Sequence, residues 1–399
     1  MSRPAIRHVA LFCLLALLTP VHAADKATAN TSLTLVREFE GGRLYKADKL
    51  NVLELHGSYR RMGRQEGGLL KDLLRRFHAE AIIGRFVRKQ GLSLEVLRGF
   101  SSKRFDLYPE RFKAILQGMA ETSGMKPDDL MMMDCIWSFS HLAPAPHCSA
   151  VAAWGEYTGG RPLVVGRNLD YFSYFKDFAE FLTLVVYNPD DGIPTASFGY
   201  AGQIATLNGM NKAGLFLESN DGSLSGGLVY YTNRPSATIL SLAFLFDCST
   251  MAGLDGAINA ARAHYSFILN VADKEAACCY EWPTFDLRRR APDRPGLLVA
   301  TNHFVDPSWG LGLPQDSATR SLHRRQNLLT LAEKYKGRFH ARTMMEVLDI
   351  PFDRGGATWP DRTIYQMVAV PQELKLWLKA PGLQDWVQTD LEKLFIGRQ

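Results

Sequence analysis

The sequence predicts an α+β fold in which antiparallel sheets are covered by helices. The part at 59–139 carries apolar residues at three- and four-residue spacing, which is typical of amphipathic helices. Prolines in the segment 141–147 prevent a helix from continuing. Beyond it, strand-like stretches alternate with two pairs of helical stretches. This order favours sheets layered between helices.

The part before the prolines is predicted to be helical. In 60–83 the apolar side chains recur on one helical face, and 109–122 repeats the pattern. Two aspartates at 128–129 introduce a further helix at 130–137. A short apolar stretch at 52–55 predicts one strand leading into this region.

The part after the prolines is predicted to contain most of the strands. They are expected at 149–154, 163–167, 181–187, 195–200, 204–208, 215–219, 267–271, 276–282 and 297–301. Helices are expected at 238–246, 254–264, 321–335 and 341–348. The stretches 364–370 and 374–380 resemble a closing hairpin.

Composition excludes several classes of protein. The 399 residues are 46% hydrophobic and carry a formal charge of only +5, a mixture unlike that of disordered or collagen-like chains. No run of five or six like charges is present, so we expect no nucleic-acid partner.

The first residues predict export. Arg3 and Arg7 precede an apolar run at 9–18, and Ala23 ends a small-residue cleavage motif. We therefore expect residues 1–23 to be a signal peptide and the protein to be periplasmic or secreted. No later stretch reaches the ~18 apolar residues of a membrane span, so we expect no integral membrane segment.

The cysteines do not form a metal or disulfide pattern. Five follow the predicted signal peptide, and none has the spacing of a zinc site, so no metal is predicted. Cys278 and Cys279 are adjacent and would point to opposite faces of a strand. Two interpretations stay open: one of them pairs with Cys248, or all three are small buried hydrophobic residues.

One predicted hairpin brings reactive side chains together. The sequence HCSAV at 147–151 lies at the start of one predicted strand. After a turn, the sequence GRNLDY at 166–171 lies at the end of the next strand. A hairpin returns the end of its second strand beside the start of its first, so Cys148, Arg167 and Asp170 should meet. A guanidinium lowers the pKa of a nearby thiol, and a carboxylate can hold an ammonium group. The alternative is a surface Arg/Asp ion pair beside a buried cysteine.

This hairpin resembles the nucleophile hairpin of the cysteine N-terminal nucleophile hydrolases, in which Cys is followed by Gly-Arg-Asn-x-Asp. It is most similar to the linear-amide group: choloylglycine hydrolases, penicillin V acylases and isopenicillin N acyltransferase-like hydrolases. Four more stretches resemble that group in the same order: LHGSYRRMGRQEG at 55–67, GMNKAGL at 209–215, ATNHF at 300–304 and SATR at 317–320.

The resemblance implies a four-layer αββα sandwich with an N-terminal helical segment, and it implies self-processing. The bond between His147 and Cys148 would break, leaving a helical α fragment or propeptide, 24–147, as partner of a catalytic β fragment, 148–399. His147 stands where the best-known acyltransferase has Gly.

The resemblance also implies the catalytic positions Cys148, Arg167, Asp170, Asn220, Asn302 and Arg320. The freed α-amine of Cys148 would serve as the base for its own thiol. Asp170 would hold that amine, Asn220 would stabilise the oxyanion, and Asn302 would orient substrate or amine. Arg167 and Arg320 would complete the charge network. No cofactor is implied.

Aromatic side chains near the predicted site favour an apolar substrate group. They are Trp154, Tyr171, Phe172, Tyr174, Phe175 and Phe304. We therefore expect a small-molecule N-acyl amide with a fatty or aromatic acyl group as substrate. A homo-oligomer is left open.

Three other functions stay open at this stage. An acyltransferase would differ only in the acceptor that reaches the thioester. A papain-like enzyme could pair Cys148 with His264 or His303, although Cys148 opens a strand rather than a helix. A non-catalytic ligand-binding protein would leave the exported chain intact.

Overall fold

The computed structural model describes residues 32–140, 148–315 and 319–395. The predicted signal peptide, His147 of the predicted scission bond and positions 317–318 lie outside the described residues. Within the described ranges, no helix has both the length and the apolar character that crossing a membrane requires.

The part before Cys148 begins with strands and continues with helices. The strands are β1 (Thr34–Phe39), β2 (Gly42–Ala47) and β3 (Leu50–Gly57), and the helices are α1 (Tyr59–Leu69), α2 (Lys71–Phe77), α3 (Leu94–Asp106), α4 (Glu110–Ser123) and α5 (Pro127–Asp134). The helix predicted at 60–83 is in fact α1, α2 and the start of a π-helical segment, His78–Lys89. The sequence patterns did not predict β1, β2 or α3.

The part after Cys148 contains most of the sheet residues. Its elements are β4 (Ser149–Ala153), β5 (Val164–Asp170), β6 (Leu182–Pro189), β7 (Thr195–Tyr200), β8 (Asn208–Asn211), β9 (Phe216–Asp221), α6 (Ser223–Gly226), α7 (Ala237–Asp247), α8 (Met251–Ala260), β10 (Phe267–Ala272), β11 (Ala277–Trp282), β12 (Arg288–Arg290), β13 (Leu297–Ala300), α9 (Ser321–Lys334), α10 (Ala341–Leu348), β14 (Thr363–Val370), β15 (Lys375–Ala380) and β16 (Gln384–Asp390). The hairpin predicted near the C-terminus is confirmed as β14 and β15, and β16 extends it.

The strand predicted at 204–208 is wrong. Residues 201–207 form a turn between β7 and β8, and only Asn208 begins a strand. The backbone N–H groups of Ile204 and Ala205 donate to the carboxylate of Asp134 instead of to a neighbouring strand. A side chain from α5 thus takes the place of a sheet partner.

The strands form two sheets. The ten-stranded sheet has the order β1-β2-β3-β6-β7-β8-β9-β10-β11-β12, and the six-stranded sheet has the order β13-β4-β5-β14-β15-β16. Neighbouring strands in the described ranges are antiparallel except β3 and β6, which are parallel. The part before Cys148 is therefore not purely helical, because three of its strands belong to the larger sheet.

Helices cover the outer faces of both sheets, which confirms the α+β prediction. Val151 of β4 packs with Leu328 of α9 and Met344 of α10 outside the smaller sheet. Leu217 of β9 packs with Leu245 of α7 outside the larger sheet. The inner faces share the largest apolar core, so the order of layers is helix, sheet, sheet, helix.

The described cysteines are all buried and free. They are Cys135, Cys148, Cys248, Cys278 and Cys279. Cys278 and Cys279 lie in β11 and point into different apolar clusters, as strand geometry predicts. Of the two interpretations of these residues, the structure has the one without a disulfide to Cys248.

Candidate active site

The register of β4 and β5 places Cys148 beside Arg167. Ala150 lies opposite Arg167 in the antiparallel pair, so the end of β5 returns next to the residue preceding β4. Cys148 is that residue, and it is only 2% exposed. The structure brings Cys148, Arg167 and Asp170 together, as the hairpin geometry predicts.

Arg167 is held beside the thiol by main-chain carbonyls. Its Nη1 donates to the Leu207 carbonyl at 2.8 Å, and its Nη2 donates to the Ser219 carbonyl at 3.1 Å. The same Nη2 lies 3.9 Å from the Cys148 sulfur. Glu218 compensates the charge, with its Oε2 2.9 Å from Nη1, and both side chains are fully buried. The fork of the guanidinium can make these contacts together, which an ammonium group could not do.

Burial keeps the Cys148 thiol protonated in the intact chain. Loss of solvation raises the pKa of this thiol to about 12, and the negative charges of Asp170 and Glu218 act in the same direction. The Arg167 charge and the main-chain N–H of Asp170 oppose the shift. Arg167 alone therefore does not make a thiolate, and the nucleophile needs a base close by.

Asp170 has an unsatisfied carboxylate oxygen. Its Oδ1 accepts a hydrogen bond from Thr363 Oγ1 at 2.5 Å, whereas its Oδ2 is buried without a hydrogen-bond partner among the described residues. Burial raises the pKa of this carboxyl to about 7, although the Arg324 charge and the Thr363 hydroxyl lower it. A buried oxygen of this kind is suited to receive a further donor.

Arg324, rather than the predicted Arg320, occupies the site. Arg320 is exposed and precedes α9 with a left-handed φ of 47°. Arg324, one helical turn later, is fully buried. Its Nη1 donates to the Cys148 carbonyl at 2.8 Å and lies 3.7 Å from Asp170 Oδ2. The expectation for Arg320 is corrected accordingly.

The two predicted asparagines lie close to this cluster. Asn302 Oδ1 accepts from Arg324 Nη2 at 2.7 Å, and Asn302 Nδ2 donates to the Asp221 carbonyl at 3.0 Å. Asn220 Nδ2 donates to the Thr301 carbonyl at 3.0 Å. Asn220 Oδ1 is buried with no partner among the described residues.

Cys148 lines a small cavity. Its volume of about 40 Å³ admits water but no acyl group, because ligand pockets usually measure ~300 Å³ or more. Asp134, Trp137 and Ser138 line it from the part before Cys148, and Tyr171 and Asp221 line it from the other part.

The other predicted substrate contacts lie elsewhere. Trp154 follows β4 at the end opposite Cys148, about 20 Å away along the strand. Phe172 is half-buried and stacks on Tyr174 with ring centroids 5.6 Å apart. Phe304 lines a separate cavity of about 430 Å³, where it stacks on Trp309. Of the six aromatic residues predicted near the site, only Tyr171 lines the cavity at Cys148.

An apolar pocket that the sequence analysis missed adjoins the small cavity. It has a volume of about 380 Å³, and it shares Ser138 with the cavity at Cys148. Its apolar walls include Val96, Phe100, Phe139, Leu228 and Tyr230. The prediction missed this pocket because three of its lining residues belong to α3, where the exposed Val96 and the buried polar Ser101 and Arg104 obscure the helical period.

A histidine lines the cavity wall, but Cys148 does not lie on a helix as the cysteine of a papain-like enzyme does. His264 lines the cavity, and its Nδ1 accepts from the Ala237 N–H at 3.0 Å, where α7 begins. His303 Nδ1 lies 2.7 Å from Ser321 Oγ. Cys148 precedes a strand, in contrast to the helix context of papain-like enzymes. The described residues contain no cluster of three His, Cys, Asp or Glu side chains that could hold a metal ion.

Comparisons with known proteins give structural neighbours only. No family model matches the sequence, and no curated protein is a significant match. An ortholog of N-acylethanolamine-hydrolyzing acid amidase from Caenorhabditis elegans is 18% identical, with a TM-score of 0.40 over 56% of this chain and 93% of the other. Penicillin V acylase from Agrobacterium tumefaciens is 13% identical, with a TM-score of 0.42 over 62% and 87%.

A variant of conjugated bile acid hydrolase from Clostridium perfringens is 11% identical, with a TM-score of 0.45 over 63% of this chain and 95% of the other. A second variant of that enzyme gives 11% identity and a TM-score of 0.43 over the same shares. These structural neighbours of the chain are all members of the N-terminal nucleophile hydrolase family.

Proposed function

We propose that this protein is a self-processing cysteine amidohydrolase that cleaves linear N-acyl amides through a thioester on Cys148. The surroundings of Cys148 carry the proposal. The Arg167 guanidinium lies 3.9 Å from the sulfur, and Asp170 Oδ2 is buried without a hydrogen-bond partner among the described residues. A thiol, a cation and an unsatisfied anion beside the first residue of a strand suit a cysteine whose own α-amine becomes the base.

The first proposed step breaks the bond between His147 and Cys148. The Cys148 sulfur attacks the His147 carbonyl carbon, and the peptide nitrogen leaves as the α-amine after taking up the thiol proton. Water then hydrolyses the thioester, which leaves a carboxylate on His147 and a free thiol on Cys148. The new ammonium group would supply the donor that Asp170 Oδ2 lacks, and its charge would lower the pKa of Asp170.

Amide hydrolysis follows by the same chemistry. The α-amine, with an unperturbed pKa of ~8, takes the thiol proton, and the thiolate attacks the amide carbonyl. The ammonium group then gives its proton to the leaving nitrogen, and the acyl group stays on sulfur as a thioester. Water, deprotonated by the α-amine, releases the carboxylic acid and restores the thiol.

Asn220 is assigned the role of donating a hydrogen bond to the oxyanion. Its Nδ2 donates to the Thr301 carbonyl at 3.0 Å in the intact chain, so the role requires this amide to turn toward the substrate. A donor aimed at the oxyanion lowers the barrier by ~3 kcal/mol. Asn302 is assigned to orientation, because it holds Arg324 Nη2, and Arg324 in turn holds the Cys148 carbonyl.

The substrate's acyl group is proposed to be apolar. The pocket of about 380 Å³ beside the cavity is walled mainly by aliphatic and aromatic side chains and shares Ser138 with it. Burial of an acyl chain there would contribute roughly 0.8 kcal/mol per methylene.

Two finer statements belong to the same proposal. Export rests on the sequence of residues 1–23, and it is tested by locating the protein in fractionated cells. Transfer of the acyl group to an amine instead of water is tested by adding a competing amine and measuring the amide formed.

The activity is tested with fluorogenic amides that carry short, long and aromatic acyl groups. We expect release of the amine by the wild type, no release by Cys148→Ala, and an acyl adduct on the peptide that begins at Cys148. Release that continues undiminished in Cys148→Ala would refute the proposed nucleophile. Stoichiometric binding without release would favour the ligand-binding alternative.

A further inference from the structure

The turn 201–207 is held by a carboxylate of the helical part. Asp134 Oδ1 accepts from the N–H groups of Ile204 at 2.7 Å and Ala205 at 2.8 Å. Asp134 belongs to α5 and is 4% exposed. Buried hydrogen bonds to an ionised acceptor are stronger than neutral ones, so this contact fixes the turn.

Two further contacts hold the beginning of the same turn. Glu66 Oε1 accepts from the Gly202 N–H at 3.2 Å, and Trp137 Nε1 donates to Gln203 Oε1 at 3.2 Å. Gly202 has a φ of 78°, and a Cβ there would lie 2.7 Å from Leu74 of α2. The turn therefore fits against the helical part with little freedom to move.

The end of the turn reaches the nucleophile. The Leu207 carbonyl accepts from Arg167 Nη1 at 2.8 Å and from the Ser219 N–H at 2.8 Å. Arg167 Nη2 in turn lies 3.9 Å from the Cys148 sulfur. Two peptide units separate Ala205 from Leu207, so a shift of the turn would move the acceptor that fixes Arg167.

We propose that Asp134 is a positioning residue for Cys148. Asp134 holds the turn 201–207, so that the Leu207 carbonyl keeps Arg167 beside the thiol. The inference rests on the proposed function. It assigns the helical part of the chain a lasting role in the site after scission, because the contact crosses the boundary between the two fragments.

Asp134 acts through the turn and not on the substrate. Although it lines the cavity, Oδ1 is engaged by two N–H groups, and Oδ2 accepts from Tyr108 Oη at 2.6 Å. The principal charges that act on the Cys148 thiol are those of Arg167, Asp170 and Glu218. A change at Asp134 should therefore reach the thiol through the placement of Arg167.

The test compares Asp134→Asn with Met132→Ala in the processed protein. Met132 is fully buried on the same helix, so its truncation weakens packing without removing a hydrogen bond to the turn. Steady-state kinetics on an N-acyl amide would be combined with the rate of Cys148 alkylation by iodoacetamide as a function of pH.

For Asp134→Asn we expect kcat to fall about 10- to 100-fold with little change in KM. A neutral amide oxygen holds the two N–H groups more weakly than a carboxylate does, and catalysis depends steeply on the geometry that the turn fixes. The pH midpoint of alkylation should rise, because the Cys148 thiolate loses a stabilising cation when Arg167 moves away. Met132→Ala should keep both the kcat and the midpoint of the wild type. An unchanged kcat and midpoint in Asp134→Asn would overturn the proposal.

Two further measurements keep the test decisive. If Asp134→Asn does not self-process, the same substitution in a Cys148→Ala background is examined by hydrogen exchange at 200–207. Faster exchange than in Met132→Ala with Cys148→Ala supports the proposal, and equal exchange contradicts it. If the wild type hydrolyses no N-acyl amide but its alkylation midpoint still responds to Asp134→Asn, the proposed function fails while the positioning role stands.

Discussion

Four buried charged side chains lie near Cys148. Arg167 and Arg324 are fully buried, and so are Asp170 and Glu218. Their formal charges balance, but removing any one of them would leave an uncompensated buried charge. Such a loss commonly costs ~3–5 kcal/mol, which makes substitutions here informative and also hazardous to folding.

Arg324 and Arg320 provide a matched pair of substitutions. Arg324→Lys should lower kcat/KM by about 100-fold, because a lysine cannot hold the Cys148 carbonyl and Asn302 Oδ1 in one fixed fork. Arg320→Lys should stay within about twofold of the wild type, since Arg320 is exposed outside the cluster. Steady-state kinetics on one amide would measure both, and equal losses would contradict the placement.

Glu218→Gln should make the Cys148 thiol more acidic. The Glu218 charge raises the pKa of that thiol, whereas the Arg167 charge that it compensates lowers it. Removing the carboxylate therefore shifts the alkylation midpoint to lower pH. Glu54→Gln, at another buried glutamate of the same sheet, should leave the midpoint unchanged. A midpoint that rises in Glu218→Gln would disprove this account of the charges.

The residues of the site differ in how far the sequence could predict them. Cys148, Arg167 and Asp170 could be predicted because they belong to one hairpin, whose two strands are close in sequence. Arg324 was missed because Arg320 fits the spacing of the family element. The signal that identifies Arg324 is the helical period, since it shares a buried face of α9 with Leu328 and Leu331.

At the scale of elements, α1 and α4 pack unusually closely. A Cβ on Gly63 would lie 1.9 Å from the Ile115 carbonyl oxygen, and a Cβ on Gly118 would lie 2.1 Å from the Arg60 carbonyl oxygen. The two glycines thus allow the backbones of the helices to touch. This pairing sets the position of the helical part against the larger sheet.

Gly63→Ala should therefore destabilise the protein by about 1–3 kcal/mol or more, because the helices must separate. Gly99→Ala provides the control. Gly99 lies in α3 with nothing within 4 Å of a Cβ, so alanine there should stabilise by about 0.5–1 kcal/mol. Urea unfolding would measure both, and destabilisation of equal size at the two positions would argue against close helix packing.

Elements were predicted where buried residues gave an apolar run or a clear period. The core strands β10 and β14 are buried along their whole length and consist largely of apolar residues, whereas β1 is exposed along nearly its whole length and gave no such signal. Residues 204–208 were predicted as a strand because Ile204, Ala205 and Leu207 are apolar. The N–H groups of Ile204 and Ala205 donate to the Asp134 side chain instead of to a strand. No local pattern reveals such a contact between distant parts of the chain.

At the scale of the whole molecule, the larger sheet joins both sides of the proposed scission bond. β3 pairs in parallel with β6 over seven residue positions, and β3 lies before Cys148 while β6 lies after it. A break between 147 and 148 would leave this ladder intact. The sequence predicted the layers but not this interlocking, because sheet partners distant in sequence leave no periodic signal.

The buried Glu66 should make the stability of the folded protein depend on pH. Burial raises the pKa of this carboxyl to about 8, and the Asp134 charge adds to the shift. The folded state therefore holds the proton more tightly than the unfolded state, and stability falls as the pH rises from about 4.5 to about 8. Glu66→Gln removes this dependence.

Urea unfolding at pH 5 and pH 8 would measure the effect of Glu66. The wild type should lose about 2 kcal/mol or more relative to Glu66→Gln between these two values. Because every other titrating group is common to both proteins, the difference isolates Glu66. Parallel losses in the two proteins would show that Glu66 is not protonated in the folded state.

Intact-mass measurement and N-terminal sequencing of the purified protein decide whether Cys148 becomes an N-terminal residue. We expect two fragments in the wild type, one of them beginning at Cys148, and a single uncut chain in Cys148→Ala. An uncut wild-type chain that hydrolyses amides, or the same cut in Cys148→Ala, would rule out self-processing at Cys148.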